Sequence, residues 1–345
     1  MPEAAPVPLA ELTTLRLGGS PGRLVEATTE AELVDVVRSC DAAGEPVLVL
    51  GGGSNLVVSD NGFHGTVVAV RTRGLDIGRP DCGGVTLTVA AGEPWDDVVA
   101  AVVGRELVGI EALSGIPGSS GAVPVQNVGA YGQEVSQTIA SVRTWDREAQ
   151  AQRTFANADC GFAYRSSRFK TDSPRYVVLD VTFQLSAGQL SAPVRYAELA
   201  RRLGVELGER APLPDVRAVV LQLRHGKGMV LDAADHDTWS AGSFFTNPLL
   251  DADAAARLPE DAPRWTQADG SVKTSAAWLI SAAGFQKGHR RGAVALSGKH
   301  PLALTNRGGG TSEELLELAR EVRDGVAAQF GIELVNEPVT VGCSL

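Results

Sequence analysis

Several short stretches of this chain combine residue types and spacings that suit chemistry. Gly51-Gly52-Gly53-Ser54-Asn55 follows the apolar run Val47–Leu50. Glycines there allow positive φ and close approach of the backbone to a ligand. Successive N–H groups in such a turn can nest phosphate oxygens. The stretch matches neither G-x-G-x-x-G nor the P-loop pattern, so a nicotinamide site of the Rossmann type is not expected. A second stretch runs from Gly115 to Gly132, with Ile116, Pro117, Gly118, Ser119, Gly121 and Ala122 at its centre. It is rich in glycine, almost free of charge, and too aliphatic for a disordered linker. Two such loops in one chain point to a dinucleotide.

Other stretches supply side chains. Cys160 to Lys170 packs basic and aromatic residues together, with Arg165 between Tyr164 and Ser166. Alone it reads as a solvated basic face, although an Arg in that setting could clamp a carboxylate with two N–H bonds. Lys227 lies between Gly226 and Gly228 and fits a phosphate contact or an exposed hinge equally well. Ser240 to Pro248 places Ser243 between a small-residue turn and Phe244-Phe245. It lacks the G-x-S-x-G nucleophile elbow, so Ser243 is a better proton donor than hydrolase nucleophile. Glu337 stands among apolar residues, where a carboxylate is costly unless paired or protonated. The five histidines show no metal-ligand spacing, and none of the four cysteines forms a CxxC pair, so no metal site is expected.

The elements that must position these residues are legible in part. Leu24–Ala27, Val47–Leu50, Val67–Val70, Val85–Val89, Ser141–Trp145 and Val177–Leu185 read as strands. Thr29 with Glu32, and Thr311 with Glu314, have capping-box spacing. The helices they open should end at Gly44 and Gly331. Pro94 should open a helix over Trp95–Val103, and Ser275–Ala283 is expected to be helical. Val219–Leu223 alternates and is read as a strand. A strand over Ile332–Val341 is expected to return to an earlier sheet. The chain has 345 residues, 44% hydrophobic and 21% charged, with net charge −10. Such a chain is long enough for two or three domains. Its charge is opposite to that of a non-specific nucleic-acid binder. It has no apolar run of signal-peptide or membrane-spanning length, so a soluble protein is expected.

The motif order GGGSN, GIPGSSGAVPVQNVGAYG, FAYRSSRFK, SAGSFFTNP and a C-terminal Glu resembles the UDP-N-acetylenolpyruvoylglucosamine reductases, from about Thr14 to Gly342. The resemblance implies an α+β chain. It would combine an FAD-binding fold of the vanillyl-alcohol-oxidase type, in two α/β subdomains (1–75 and 76–231), with an α+β substrate domain (232–331) and a returning strand (332–345). It implies non-covalent FAD held by Gly51, Gly52, Gly53, Ser54, Asn55 and the Ile116–Ala122 loop, with NADPH as co-substrate. Arg165, Ser243 and Glu337 match the family's catalytic residues, although Ser166 stands where an Asp is common. Tyr196, Lys227 and Asn247 match substrate contacts, Tyr196 in the subclass with a substrate-covering loop. The implied reaction reduces an enolpyruvyl UDP-amino sugar in bacterial peptidoglycan precursor synthesis, in the cytoplasm, with no nucleic-acid or membrane partner and a monomer as the expected state. A flavin oxidase with a tethered cofactor is the rival enzyme. Neither glycine-rich loop, Gly51–Asn55 or Gly115–Gly132, holds the His or Cys that a tether needs. A non-catalytic sugar-nucleotide-binding module is the rival from another class.

Overall fold

A computed structural model describes residues 7–267 and 269–345. The first six residues of the expected 1–75 subdomain lie outside them. Two compact units emerge. One comprises residues 22–52 and 64–230. The other comprises residues up to Pro21, residues 53–63 and residues 231–345.

The chain opens with β1 (Pro21–Ala27), α1 (Glu30–Ala43), β2 (Val47–Leu50), β3 (Leu56–Val58) and β4 (Phe63–Val70). The Thr29 hydroxyl accepts from the Glu32 N–H and Glu32 returns to the Thr29 N–H, so both halves of the capping box form. Gly44, at φ 66°, closes α1. Strands β2 and β4 pair in parallel, with Leu48 opposite Val67, and β4 lies between β1 and β2. Then come β5 (Leu75–Ile77), β6 (Val85–Ala90), α2 (Trp95–Val103), β7 (Leu107–Val108), β8 (Gly129–Ala130), β9 (Gln133–Glu134), β10 (Ile139–Asp146), β11 (Ala151–Ala156), α3 (Arg168–Thr171) and β12 (Tyr176–Ala187). Five of these strands build an antiparallel sheet in the order β11-β10-β12-β6-β5, with β7 pairing β12 beside it, while β8 and β9 form a separate hairpin. Val85, Leu87 and Val89 alternate inward against Val181, Phe183 and Trp95, and all six are buried.

Two helices, α4 (Ala197–Leu203) and α5 (Leu213–Gly226), complete this unit. The expected strand at Val219–Leu223 is in fact the second half of α5. Its buried positions are Leu213, Val216, Val220 and Leu223, spaced at three and four. Pro214 in the first turn suits a helix start. Five alternating residues are too short a window to separate the two periods.

The other unit holds β3 with β13 (Leu249–Leu250), α6 (Ala252–Ala256), β14 (Arg264–Thr266), β15 (Val272–Thr274), α7 (Ala276–Ala282), β16 (Arg290–Arg291), β17 (Val294–Leu296), β18 (Leu304–Asn306), α8 (Ser312–Phe330) and β19 (Val339–Val341). Thr311 and Gly331 cap α8 as the spacing predicts. Its buried stripe, Leu315, Leu318, Ala319, Val322 and Val326, packs with Leu279, Ile280, Val294 and Leu296. The returning strand is shorter than expected, covering Val339–Val341 alone. It pairs in parallel with β3, Thr340 opposite Val57. Residues 332–338 form no strand and make only an isolated bridge, Phe245 to Asn336. Pro338 supplies no N–H to a ladder. Because β3 and the buried residues Leu15, Leu17 and Val57 belong to this core, the compact units cut across the expected 1–75 segment.

Candidate active site

In the unit formed by residues 22–52 and 64–230, the two glycine-rich loops meet backbone to backbone. A Cβ on Gly52 would lie 2.6 Å from the Gly118 Cα, and one on Gly51 would strike the Ser119 Oγ. Gly118 and Ser119 are held from behind: the Gly118 carbonyl accepts from the Trp95 N–H at 3.0 Å, and Ser120 and Gly121 donate to Glu93 and Ala91 at 2.8 Å each. Asp96 anchors the start of the loop by accepting the Gly115 N–H at 2.6 Å. Its carboxyl is half-buried, and that partial desolvation works against ionisation. The Arg217 fork (2.6 and 2.8 Å) and the Gly115 N–H outweigh that and hold it below the ordinary carboxylate range. Arg71 donates to the Gly51 carbonyl at 3.2 Å, placing positive charge beside the first loop. Among the described residues no protein acceptor meets the N–H of Gly52, Gly118 or Ser119. Tight, uncharged backbone with spare donors beside a cation suits a diphosphate-bearing cofactor.

Arg165 follows the same loop in space. Its guanidinium donates to the Asn127 carbonyl at 3.0 Å and the Gly129 carbonyl at 2.7 Å, and lies over the Tyr164 ring at 5.2 Å. Its own φ is 104°, a left-handed value rare for a non-glycine residue. Strain of this kind persists only where surroundings fix it. Here the two carbonyl bonds, a Lys170 Nζ bond to the Arg165 carbonyl (3.0 Å) and the Ala163–Ser166 bridge do so.

Tyr196 and Lys227 are brought together, with Tyr131 between them. Tyr131 and Tyr196 meet edge to face at 5.3 Å, and the Lys227 Nζ sits 5.8 Å above the Tyr131 ring. Lys227 donates to Glu198 at 2.7 Å. Burial disfavours its charge, but the Glu198 bond and the tyrosines prevail and its pKa is raised. Burial pushes the Tyr131 hydroxyl up. Arg224, one turn before Lys227, donates to the Met229 carbonyl at 2.8 Å, while its Nε is buried without an acceptor among the described residues. Burial lowers its pKa. Arg224, Glu198 and Asp96 were not picked out from the sequence. The only sequence signal for Asp96 is an acidic residue in a first helical turn, which usually means no more than a helix-dipole partner.

In the other unit, Ser243 and Glu337 lie on adjoining backbone. The Glu337 N–H donates to the carbonyl of Phe244, the residue after Ser243, at 2.8 Å, and Thr246 donates to Val335 at 3.0 Å. Phe244 and Phe245 are buried in the core, and Phe244 also donates to Leu302 at 2.7 Å. The half-buried Ser243 is therefore fixed by its neighbours, after Gly242 at φ 75°. Asn55 joins this group: its amide donates to the Glu337 carbonyl at 3.3 Å and its carbonyl accepts from Val339 at 2.9 Å. The Asn247 side-chain oxygen accepts the Ala276 N–H at 3.0 Å, at the start of α7, so part of that side chain is committed to the helix. Gly53 accepts the Thr14 N–H through its carbonyl at 3.1 Å, and Ser54 is half-buried beside it.

Comparison with known proteins places these features in a family. Residues 21–154 match the FAD binding domain, and residues 234–341 match the C-terminal domain of UDP-N-acetylenolpyruvoylglucosamine reductase. The chain is 59% identical to the UDP-N-acetylenolpyruvoylglucosamine reductase of Cutibacterium acnes, covering 98% of this chain and 90% of that one. It is 56% identical to the protein of the same name from Thermobifida fusca, covering 98% of each. Among solved structures, the UDP-N-acetylenolpyruvylglucosamine reductase of Thermus caldophilus superposes with a TM-score of 0.66 at 24% identity, over 97% of both chains. That likeness supports the fold. No described helix is long and apolar enough to cross a membrane. With an FAD-binding domain followed by that C-terminal domain, and such identity over nearly its whole length, the chain belongs to the UDP-N-acetylenolpyruvoylglucosamine reductase family.

Proposed function

We propose that this chain reduces the enolpyruvyl ether of UDP-N-acetylenolpyruvoylglucosamine to the lactyl ether of UDP-N-acetylmuramate, with NADPH as the reductant. The observation that carries the reading is the fixed pairing of the Ser243 loop with the Glu337 segment (Glu337 N–H to Phe244 carbonyl, 2.8 Å) in a chain of this family. When bound, FAD supplies the hydride for the terminal enolpyruvyl carbon. Gly51, Gly52 and the Ile116–Ala122 loop would hold its diphosphate and ring, with Gly53, Ser54 and Asn55 continuing the first loop.

Hydride addition moves negative charge onto C2 and the adjoining carboxylate, and groups aimed at that charge lower the barrier. Arg165, already oriented by two carbonyls, supplies a positive fork for the carboxylate. Ser243 delivers a proton to C2. A hydroxyl is a weak acid, so it must be held close to the carbon, and the buried Phe244-Phe245 pair supports this by fixing the backbone next to Ser243. Glu337 assists as a protonated or bridged group, because a second bare carboxylate would repel the developing charge. Tyr196 covers the substrate while Lys227 and Asn247 hold the UDP diphosphate.

Stopped-flow flavin absorbance tests the reading. NADPH added alone should bleach the oxidised flavin, and the enolpyruvyl sugar added afterwards should restore the absorbance. A chain that binds no flavin, or a reduced flavin indifferent to the sugar, would overturn it.

A further inference from the structure

We infer that Glu111 is a positioning residue for this reaction: its buried carboxylate sets the Tyr131–Tyr196–Lys227 cluster that receives the nucleotide end of the sugar. The inference rests on the function proposed above and names a determinant of substrate affinity within it. Glu111 is completely buried, on the short helical turn that follows β7. Its Oε2 accepts the Gly109 N–H at 2.6 Å, and its Oε1 accepts the Gln133 amide at 2.9 Å and the Ala192 N–H at 2.7 Å. Gln133 in turn accepts the Ala112 N–H at 2.8 Å. Among the described residues no cation pairs with Glu111. A buried charge of this sort is expensive, and an apolar side chain would fill the space at lower cost. What a carboxylate adds is an acceptor on both oxygens for donors arriving from three separate segments.

Those segments lead to the cluster. Gln133 pairs with Ala130 across the β8–β9 hairpin, whose tip is Tyr131-Gly132 at φ 50° and 85°. Ala192 lies in the irregular stretch between β12 and α4 that leads to Tyr196. The two meet again at the tip, where a Cβ on Gly132 would lie 2.9 Å from the Arg195 Cβ. One oxygen of Glu111 thus ties the hairpin carrying Tyr131 to the segment carrying Tyr196. Beneath them Ala112, Val194, Leu199, Val216 and Val220 form a separate small core, against which Tyr131 packs. A shift of either donor therefore moves one tyrosine relative to the other and to Lys227.

The test is Glu111→Gln. Whichever way the amide turns, its NH₂ faces an N–H, either that of Gly109 or that of Ala192. The expected result is a KM for the enolpyruvyl sugar, and a Kd for UDP alone, raised about tenfold or more. The kcat should stay within about threefold of the parent, with one FAD per chain and the parent's flavin spectrum. Gln133→Met, which removes one donor and leaves the carboxylate, should move the same constants less. It decides the question if the first variant does not fold. Unchanged KM and UDP affinity in both variants would overturn the inference. So would loss of flavin, kcat and affinity in proportion, which would make Glu111 a purely structural residue. If the parent failed to reduce the sugar, the proposed function would fall, while the UDP titration would still judge the positioning role.

Discussion

The two glycine-rich loops and the Ser243–Glu337 region are both irregular backbone, yet they are built on opposite plans. At Gly51, Gly52 and Gly118 the surface proposed to meet the cofactor is the main chain. Side chains are excluded because the loops touch each other. In the proposed reaction the working groups at Ser243 and Glu337 are side chains, and the main chain there is fixed through bonds from Phe244, Thr246 and Glu337 and through two buried phenylalanines. A backbone site is damaged by adding atoms. A side-chain site is damaged by taking functional atoms away while the fold survives. Substitutions should therefore separate the two plans by what they leave intact.

The largest effect should come from Ser243→Ala. Removing a general acid costs about 10²–10⁴ in rate. Because the backbone contacts of Phe244 remain, flavin content and bleaching by NADPH should match the parent, while reoxidation by the sugar slows by about that factor. Equal loss of both half-reactions in stopped flow would show that Ser243 is structural. Arg165→Lys comes next, at about 10–100-fold in kcat/KM, because an ammonium cannot span both the Asn127 and Gly129 carbonyls and still present a fork to a carboxylate. Steady-state kinetics within about threefold of the parent would remove the clamp.

The backbone plan predicts a different signature for Gly52→Ala. The added methyl would meet main-chain atoms of Gly118 at 2.6–2.9 Å, so the loops must part. Overpacking of this kind costs about 1–3 kcal/mol. The variant should melt lower and be purified with little flavin. Whatever flavin it retains should react at the parent's rates in both half-reactions. A fully flavinated Gly52→Ala protein with parental melting would show that the loops yield easily and that the contrast drawn above is too sharp.

How far the sequence foretold these plans depended on the range of the interactions. Caps at Thr29, Gly44, Thr311 and Gly331 were legible because capping is local, with donor and acceptor three or four residues apart. The helix at Val219–Leu223 was not, because the core that favours its three-and-four spacing includes Ala112, Val194 and Leu199 from elsewhere in the chain. The short β19 depended on β3, nearly three hundred residues away. The motifs named Ser243, Glu337 and Arg165 by type and neighbourhood. They did not show that Asn55, expected beside a cofactor, is tied to the Glu337 carbonyl, nor that Glu198 holds Lys227. Glu111 left little local mark: Gly109 is two residues away, but Gln133 and Ala192 are brought to it only by folding.

The smallest effect tests the support of the backbone plan rather than its surface. Asp96 joins the Gly115 N–H to Arg217, and its carboxyl is held below the ordinary range. A group whose folded pKa is depressed contributes stability above its unfolded pKa of about 3.9, and that contribution is lost as pH falls through the folded value. Asn at this position can still accept from Gly115 but turns an N–H toward one arm of the Arg217 fork. The pair is partly open to solvent, so screening keeps the loss for Asp96→Asn to about 1 kcal/mol at pH 7. Melting temperatures of parent and variant should therefore differ by a few degrees at neutral pH and begin to converge as the pH drops below about 4, where the unfolded chain's carboxylate takes up its proton, the gap closing as the pH falls through the depressed folded value. A gap that stayed constant from pH 7 to pH 3 would mean that the ionised form contributes nothing. The loop would then be anchored by the Trp95, Ser120 and Gly121 hydrogen bonds alone, which carry no charge to titrate.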